Sequence, residues 1–565
     1  MEGGVAMEKR ITTAAVLVLI AAMMLWSPAA LPQSAATGAL TGTVSDPSGA
    51  GIPSATVKIT HTSTGATRVT ATDNAGQYRA LLLPPGKYSV QVSAQGFKTA
   101  DFPDISIDVA ETRTLNANLS VGSSNETVTV EGAAVQVQTE SATIGSVVGE
   151  QTVKSLPLTT RNYTQILHLA PGVQAELANA GEIGRNTQDV YVNGARTVDN
   201  NFQMDGAQIN NFGTGRAGDW LGYTGISIPN PDAIQEFNIQ TSLYDAQYGR
   251  GVGANVNVVT KSGTNDLHGS LFEYLRNTVL NANDFFSNAT HQPRPVLRQN
   301  QFGGTIGGRI IKDKLYFFGA YQGTRQTNGV GSGSLRSSFL PPLTNDRSAQ
   351  ALGKQFCGQS GAGGGTAVAC DGSNINPVAL ALLNVKLPNG QFFIPTPQTI
   401  QSSGVGFSIF SVPSTFSENQ YLANVDYTVT KKNTLSGRYF SSHDPQALSF
   451  TGTSTLPGTG ASSDFKNYNF LLKLTSIPTT SLINEAMFSF KRNYGLLADA
   501  HTHNNHSDRD DPQRSANNGN AADFGGGAIQ CWRLLERQFS DRRYSVHVWR
   551  PRFVDAPSSH HSNRF

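Results

Sequence analysis

Between Tyr248 and Glu273 the chain reads YGRGVGANVNVVTKSGTNDLHGSLFE, and this run constrains the fold more than any other. Val256 and Val258 alternate with Asn255 and Asn257; the alternation breaks at Ser262-Gly263-Thr264-Asn265 and resumes through Ser270, Phe272 and Tyr274. A side-chain period of two on both sides of a Gly/Asn break is the pattern of strand, turn and strand. By itself it predicts a β-hairpin.

The same period recurs from Leu267 to about Leu497. Phe302, Gly304, Ile306, Gly308 and Ile310 share one face; after the turn Lys312-Asp313-Lys314, Leu315, Phe317, Gly319 and Tyr321 alternate with Tyr316, Phe318 and Ala320. Tyr421, Ala423, Val425, Tyr427 and Val429 alternate with Asn424, Asp426 and Thr428, while Tyr468, Phe470, Leu472 and Leu474 oppose Asn467, Asn469 and Lys473. Apolar-out, polar-in strands of ~10 residues suit a transmembrane barrel, and once long loops are removed this stretch has room for about 8 to 12 of them. A soluble sandwich with one wet face would alternate in the same way.

Export favours the barrel. Lys9 and Arg10 precede an apolar run from Ile11 to Trp26, then small residues at Ser27-Pro28-Ala29-Ala30 and Ser34-Ala35-Ala36. That is the order of a secretory signal over residues 1–36, with Met1 or Met7 as the start and the exported chain beginning between Leu31 and Thr37. The alternative, an N-terminal anchor, needs about 20 apolar residues. Lys+Arg 42 against Asp+Glu 40 leaves a formal charge of +2, without the basic stripe that a nucleic-acid partner would need. Charged residues make up only 15% while glycines number 57, a balance suited to β-structure with long polar loops.

From Ala39 to Leu119 short strands are separated by turn signals: Asp46-Pro47-Ser48-Gly49, Asp73-Asn74-Ala75-Gly76 and Pro84-Pro85-Gly86. Such spacing predicts a small β-sandwich. The phrases GTVSDPSGAGIPSATVKI and TDNAGQYRALLLPPGKYSVQVSAQGF resemble the carboxypeptidase regulatory-like domain, a prealbumin- or starch-binding-like sandwich that is an accessory module in its family. Tyr78, Tyr88 and Phe97 could stack on glycans there, or could be core. After a Gly/Ser linker, Glu126-Thr127-Val128-Thr129-Val130-Glu131-Gly132 is an extended, β-branched segment able to add as a strand to a partner's sheet. A helix is predicted from about Thr160 to Leu169, with Thr160 as N-cap and Pro171-Gly172 as the stop. Asn193-Gly194 and Asp205-Gly206 are turn dipeptides.

In this order VYVNGARTVDNNFQMDGAQIN, PDAIQEF and the opening run resemble the plug and first barrel strand of Oar-like TonB-dependent outer-membrane receptors. The resemblance runs from about Ala39 to Leu497. It implies a mainly β chain: a β-sandwich at 37–121, an α+β plug at 122–262 and the N-terminal part of an antiparallel outer-membrane β-barrel at 263–497. It implies a TonB box at Thr127, Val128, Thr129 and Val130. It also implies outer-membrane lipid and a TonB-like energy-transducing protein as partners, and uptake of a solute, with glycans and peptides as candidates. The other class of function is a cell-surface carbohydrate-binding or adhesive protein acting through the sandwich.

Nothing in the chain predicts an enzyme or a cofactor. His61, His168, His268, His291 and His443 are scattered without an HxxE or HExxH pairing, so the zinc set of a carboxypeptidase is not expected. Cys357 and Cys370 flank a Gly-rich run and in an oxidising compartment could close a small disulfide or stay as thiols. After Leu497 the pattern changes. Residues 498–565 hold His501, His503, His506, His547, His560, His561 and Cys531 with little alternation, as expected of an aberrant or disordered tail and an incomplete copy of a receptor; the terminal Phe565 follows no strand pattern.

Overall fold

The computed structural model describes residues 36–499 and 545–549, except 124–125, 131–140, 176–182, 185–189, 211–226, 245–247, 250, 284, 286–287, 289–293, 332–333, 361–364, 387–389, 451–459 and 480–481. The expected signal region up to residue 35, His291, Cys531, Phe565 and the tail histidines lie outside the described residues, as does the His547 side chain.

Nine strands serve the N-terminal unit: β1 (Gly38–Ser45), β2 (Thr56–His61), β3 (Thr67–Ala71), β4 (Gln77–Leu83), β5 (Gly86–Ser93), β6 (Thr99–Ile107), β7 (Thr112–Thr114), β8 (Ala117–Asn118) and β9 (Thr127–Thr129). One sheet runs β4-β1-β7 with β8 also on β1; the other runs β3-β2-β5-β6-β9. Alternation decides which faces meet. In β2 Val57 and Ile59 are buried while Thr56 and Lys58 are exposed, and in β5 Tyr88, Val90 and Val92 are buried. They close one core with Leu40, Val44, Tyr78, Phe102 and Ile105. The turns are local chemistry: the Asp46 carboxylate accepts from the Ser48 and Ala50 N–H groups at 2.8 and 3.0 Å, and Asp73 does the same for Ala75 and Gln77. Tyr78 and Tyr88 are each 2% exposed, and their hydroxyls donate to the Leu115 and Pro84 carbonyls. Phe97 packs half-buried against the same core, so these aromatics are core and not a glycan platform.

The next unit carries β10 (Ile144–Gly149), helix α1 (Glu150–Ser155), β11 (Val173–Ala175), β12 (Val190–Val192), β13 (Asn201–Met204), β14 (Ala207–Gln208), β15 (Ile234–Ser242) and β16 (Asn255–Thr260). Its main sheet runs β10-β15-β16-β13-β14. Here the hairpin expected of the opening run is corrected. β16 is buried at every residue, antiparallel to β15 and parallel to β13, so both its edges are taken and the strand after the Gly/Asn break pairs elsewhere. The alternating Asn255 and Asn257 are buried as well, with Asn201 Nδ2 donating to Asn255 Oδ1 at 2.9 Å. The expected helix is also corrected. Arg161 has φ +52°, which no helix accepts, so a 3-10 helix starts only at Tyr163 and runs to Leu169. Asn162 caps it by accepting from the Thr164 N–H, while Thr160 Oγ1 accepts from the Gln165 side chain. Asn193-Gly194 and Asp205-Gly206 have positive φ at both residues, the requirement of a two-residue turn with the strand's own twist. Asp205 binds Thr260 through its N–H (2.9 Å) and hydroxyl (2.8 Å), a structural role.

The third unit is a sheet in the order β17 (His268–Asn277), β18 (Leu297–Ile311), β19 (Leu315–Asn328), β23 (Ser414–Thr430), β24 (Asn433–Leu448), β25 (Ala461–Thr479), β26 (Leu482–Asp499) and β27 (Ser545–Trp549). All its pairs are antiparallel. The long connection between β19 and β23 makes its own sheet from β20 (Leu335–Leu340), β21 (Thr399–Ile400) and β22 (Gly406–Ser411), with helices α2 (Ala349–Gln355) and α3 (Pro377–Leu383). Among the described residues the barrel sheet is open, with β17 and β27 at its ends. The strand count from sequence is corrected: among the described residues of 268–499 there are seven barrel strands. They run from 10 to 19 residues, so each consumes more chain than the ~10 expected. Short turns (312–314 and 431–432) lie at one end of the sheet and the long connections at the other.

Candidate functional site

Period-two alternation gives each barrel strand an outer and an inner row. Leu271, Ile306, Tyr421, Val425, Phe470 and Leu472 stay exposed, an apolar surface for lipid. Gln299, Gln301, Gln322, Thr324, Gln326, Glu418, Gln420 and Asn424 are buried although polar. Plug backbone supplies partners to Gln299, Gln326, Gln420 and Asn424, while Gln322 and Thr324 bond Glu418 within the wall. Gln420 is the clearest case: its Oε1 accepts from the Asn230 N–H at 2.6 Å and its Nε2 donates to the Ile228 carbonyl at 2.7 Å. Asn424 Nδ2 donates to Thr260 Oγ1 and the Lys261 carbonyl, both at 2.8 Å. Lys491 on β26, also buried, donates to the Ile209 and Asn210 carbonyls at 2.5 Å each.

Arg161 brings a charge to the same wall. Its positive φ turns the side chain to the wall, where Nε donates to Gln322 Oε1 at 2.9 Å and the guanidinium pairs with Asp232 of the plug. The guanidinium also lies over the Phe272 and Tyr274 rings of β17, at 4.3 and 4.6 Å. Asp426 is a second anchor, accepting from Ser262 Oγ at 2.7 Å and pairing with Arg438 at 2.8 Å. Charged and amide groups thus fix the plug to the wall through hydrogen bonds and ion pairs.

The sandwich is docked on the plug and on the short-turn end of the barrel. The Val109 N–H donates to Glu236 Oε1 at 2.5 Å, Asn238 Nδ2 donates to the Val109 carbonyl, and Gln235 Nε2 donates to the Pro85 carbonyl at 2.8 Å. Asn265 and the Tyr316 hydroxyl hold the Thr64 carbonyl at 2.9 and 2.7 Å. Glu236 is enclosed here. Burial first, and then the charge of Asp108, pushes its carboxyl up from 4.5 to about 8. Burial and Asp108 raise Glu111 beside it.

The residues singled out in the sequence fall at two separate places. Thr127–Thr129 is β9, at the edge of the sandwich and exposed, and Val130 follows it exposed. Cys357 and Cys370 are joined by a disulfide with Cα atoms 4.5 Å apart, in the long connection at the opposite end of the sheet. Sequence reasoning missed Arg161, Glu236, Gln420 and Lys491. Only Glu236 had a signal, a carboxylate inside the apolar strand IQEFNIQ, and the others look like ordinary wet-face residues. No group of three potential metal ligands occurs among the described residues.

Three family models match the chain: a carboxypeptidase regulatory-like domain at 39–120, a TonB-dependent receptor plug domain at 137–256 and an outer membrane beta barrel domain at 259–532. The TonB-dependent transporter Oar of Myxococcus xanthus is 30% identical over 336 residues, which cover 55% of this chain and 29% of that protein. The chain therefore spans less than a third of the length of this curated relative. Among solved structures, the outer membrane transporter YddB from Escherichia coli aligns over 63% of this chain and 39% of its own, with 11% identity and a TM-score of 0.40. A ferric enterobactin receptor (PfeA) mutant from Pseudomonas aeruginosa aligns over 66% and 44%, with 12% identity and a TM-score of 0.37.

Proposed function

Because the chain belongs to the Oar-like family of TonB-dependent outer-membrane receptors, we propose that it takes part in energy-coupled uptake of a solute across the outer membrane, where it resides. The observation that carries this reading is the plug seated on a polar inner wall, with Gln420, Asn424 and Lys491 bonded to plug backbone and Arg161 bridging plug and wall. Such an element opens by exchanging hydrogen bonds and breaks no covalent bond, so the work is done by remodelling and the chain itself carries no catalytic step. The domain boundaries at 121, 262 and 497 go with this reading, as does the partner strand Thr127–Val130. Exposed β-branched residues at a sheet edge support the latter. The solute enters from the end bearing the long connection that holds Cys357 and Cys370. Burial of Tyr78 and Tyr88 speaks against an adhesive function carried by the sandwich's aromatics.

Among the described residues β17 pairs with a strand on one edge only, and unpaired backbone groups in lipid cost several kcal/mol each. The test of the function is cysteine cross-linking in cells. A cysteine at Val128 should trap the cell's TonB-like protein in a disulfide-linked complex, while a cysteine at Val69, somewhat more exposed on the same sandwich, should not. Equal trapping at both positions, or at neither, refutes the proposal.

A further inference from the structure

The segment Thr127–Val130 is not held loosely. β9 runs parallel to β6 with Thr127, Val128 and Thr129 opposite Thr99, Ala100 and Asp101. The Thr99 N–H donates to the Glu126 carbonyl and the Val130 N–H to the Asp101 carbonyl, each at 2.9 Å. In a parallel ladder a residue bonds the two neighbours of its opposite number. The N–H and C=O of Val128 therefore face β6, and those of Thr127 and Thr129 face away from it. Lys98 pairs with Glu126 at 2.6 Å, pinning the start of the strand. β9 is the last strand of its sheet.

The sandwich that holds β9 is itself tied down, by Val109 to Glu236, by Pro85 to Gln235 and by Thr64 to Asn265 and Tyr316. A partner that gripped only the outer edge of β9 would find the groups of Thr127 and Thr129 alone. Tension applied there would pass into the sandwich sheet and its anchors. Tension reaches the plug along the chain, from Val130 towards β10 at Ile144, only after β9 has left β6.

We propose that the sandwich is a latch for the partner strand: β6 and the energy-transducing protein compete for the same backbone of Thr127–Val130, and coupling requires release of β9 from the sandwich. This rests on the reading of Thr127–Val130 as the partner strand. The accessory domain then does more than tether, since it sets how often the strand is available. The pairing is three residues long, short enough to open and long enough to lower the population of the free strand.

Two variants separate release from locking. Thr99→Pro removes the N–H that binds Glu126, on the β9 side of β6, while Ala100 and Phe102 keep their register with Val92 and Val90 of β5. Asp101→Cys with Thr129→Cys places cysteines at opposed positions of β6 and β9, to be oxidised or reduced at will. The probe is the purified periplasmic domain of the TonB-like protein from the same genome, titrated against the full chain in detergent. Thr99→Pro should tighten Kd about tenfold, equivalent to about 1.4 kcal/mol. The oxidised pair should weaken it at least about tenfold by the same scale, with recovery on reduction and no response of the parent chain to reductant. Val128→Pro reports on the strand itself. If it abolishes binding while the release and lock variants keep the parent Kd, the latch is refuted and the partner strand stands. If Val128→Pro binds like the parent, or the parent does not bind, the partner-strand reading fails and the latch with it. Should Thr99→Pro unfold the sandwich, the lock decides alone, because oxidised and reduced forms share one sequence.

Discussion

Glu236 makes docking of the sandwich on the plug depend on pH, with a sign and size set by its burial. Its carboxyl is pushed from 4.5 to about 8 when enclosed between β15 and the Asp108–Glu111 segment. Undocked, the group meets water and returns to its ordinary value. Between these two values the docked state binds the extra proton, so docking weakens as pH rises through that window. Below it both states are protonated, and above it the penalty is constant. Proton linkage gives about 1 kcal/mol against docking at pH 5.5 and about 3 kcal/mol at pH 7. The groups facing Glu236 are Asp108, Glu111 and the Val109 N–H; the two acids raise the carboxyl further and the N–H opposes them. Glu236→Gln keeps an acceptor for Val109 and removes the ionisation. Hydrogen exchange of the peptide spanning 107–111, in the full chain and corrected for intrinsic rates, should show protection falling about 30-fold from pH 5.5 to 7, since about 1.4 kcal/mol is tenfold. In Glu236→Gln the protection should be flat and higher at pH 7. Asp108→Asn should keep most of the slope, because burial is the larger cause. Parallel pH curves for Glu236→Gln and the parent, or protection rising with pH, would refute the reasoning.

Arg161→Ala should loosen the plug by about 3–5 kcal/mol, since Asp232 is left buried without its partner; protease cleavage within 150–260 at a dose that spares the parent is the readout. The fragment 37–121 should fold alone with a cooperative melt, and Leu40→Ala, at a fully buried position, should cost it about 2–5 kcal/mol; a helical spectrum or a non-cooperative melt contradicts the sandwich. Peptide mapping without reductant should recover Cys357 and Cys370 linked, and their reduction should quicken proteolysis of 341–405 while sparing the plug.

The sequence by itself determined the local structure wherever one rule governs a short stretch. Alternation in TVKITH and KYSVQVS specified which side chains enter the sandwich core, and the Asp46 and Asp73 turns follow from side chains that bind their own backbone. Asn193-Gly194 and Asp205-Gly206 were legible as turns because few residue pairs accept positive φ twice. The order of sandwich, plug and barrel was legible too, since its phrases match a family. Tertiary structure alone decided which strands pair. β16 and β17 look like one hairpin, yet β16 is taken up between β13 and β15 while β17 opens another sheet, a choice made by partners 50 residues and more away in the case of β13. Arg161 was expected inside a helix and instead leaves it, because Asp232, Gln322 and the rings of β17 hold its side chain from outside the local chain. The polar rows of the barrel read only as the inner face, because alternation tells which face a residue is on, and not whether water or a plug will cover it.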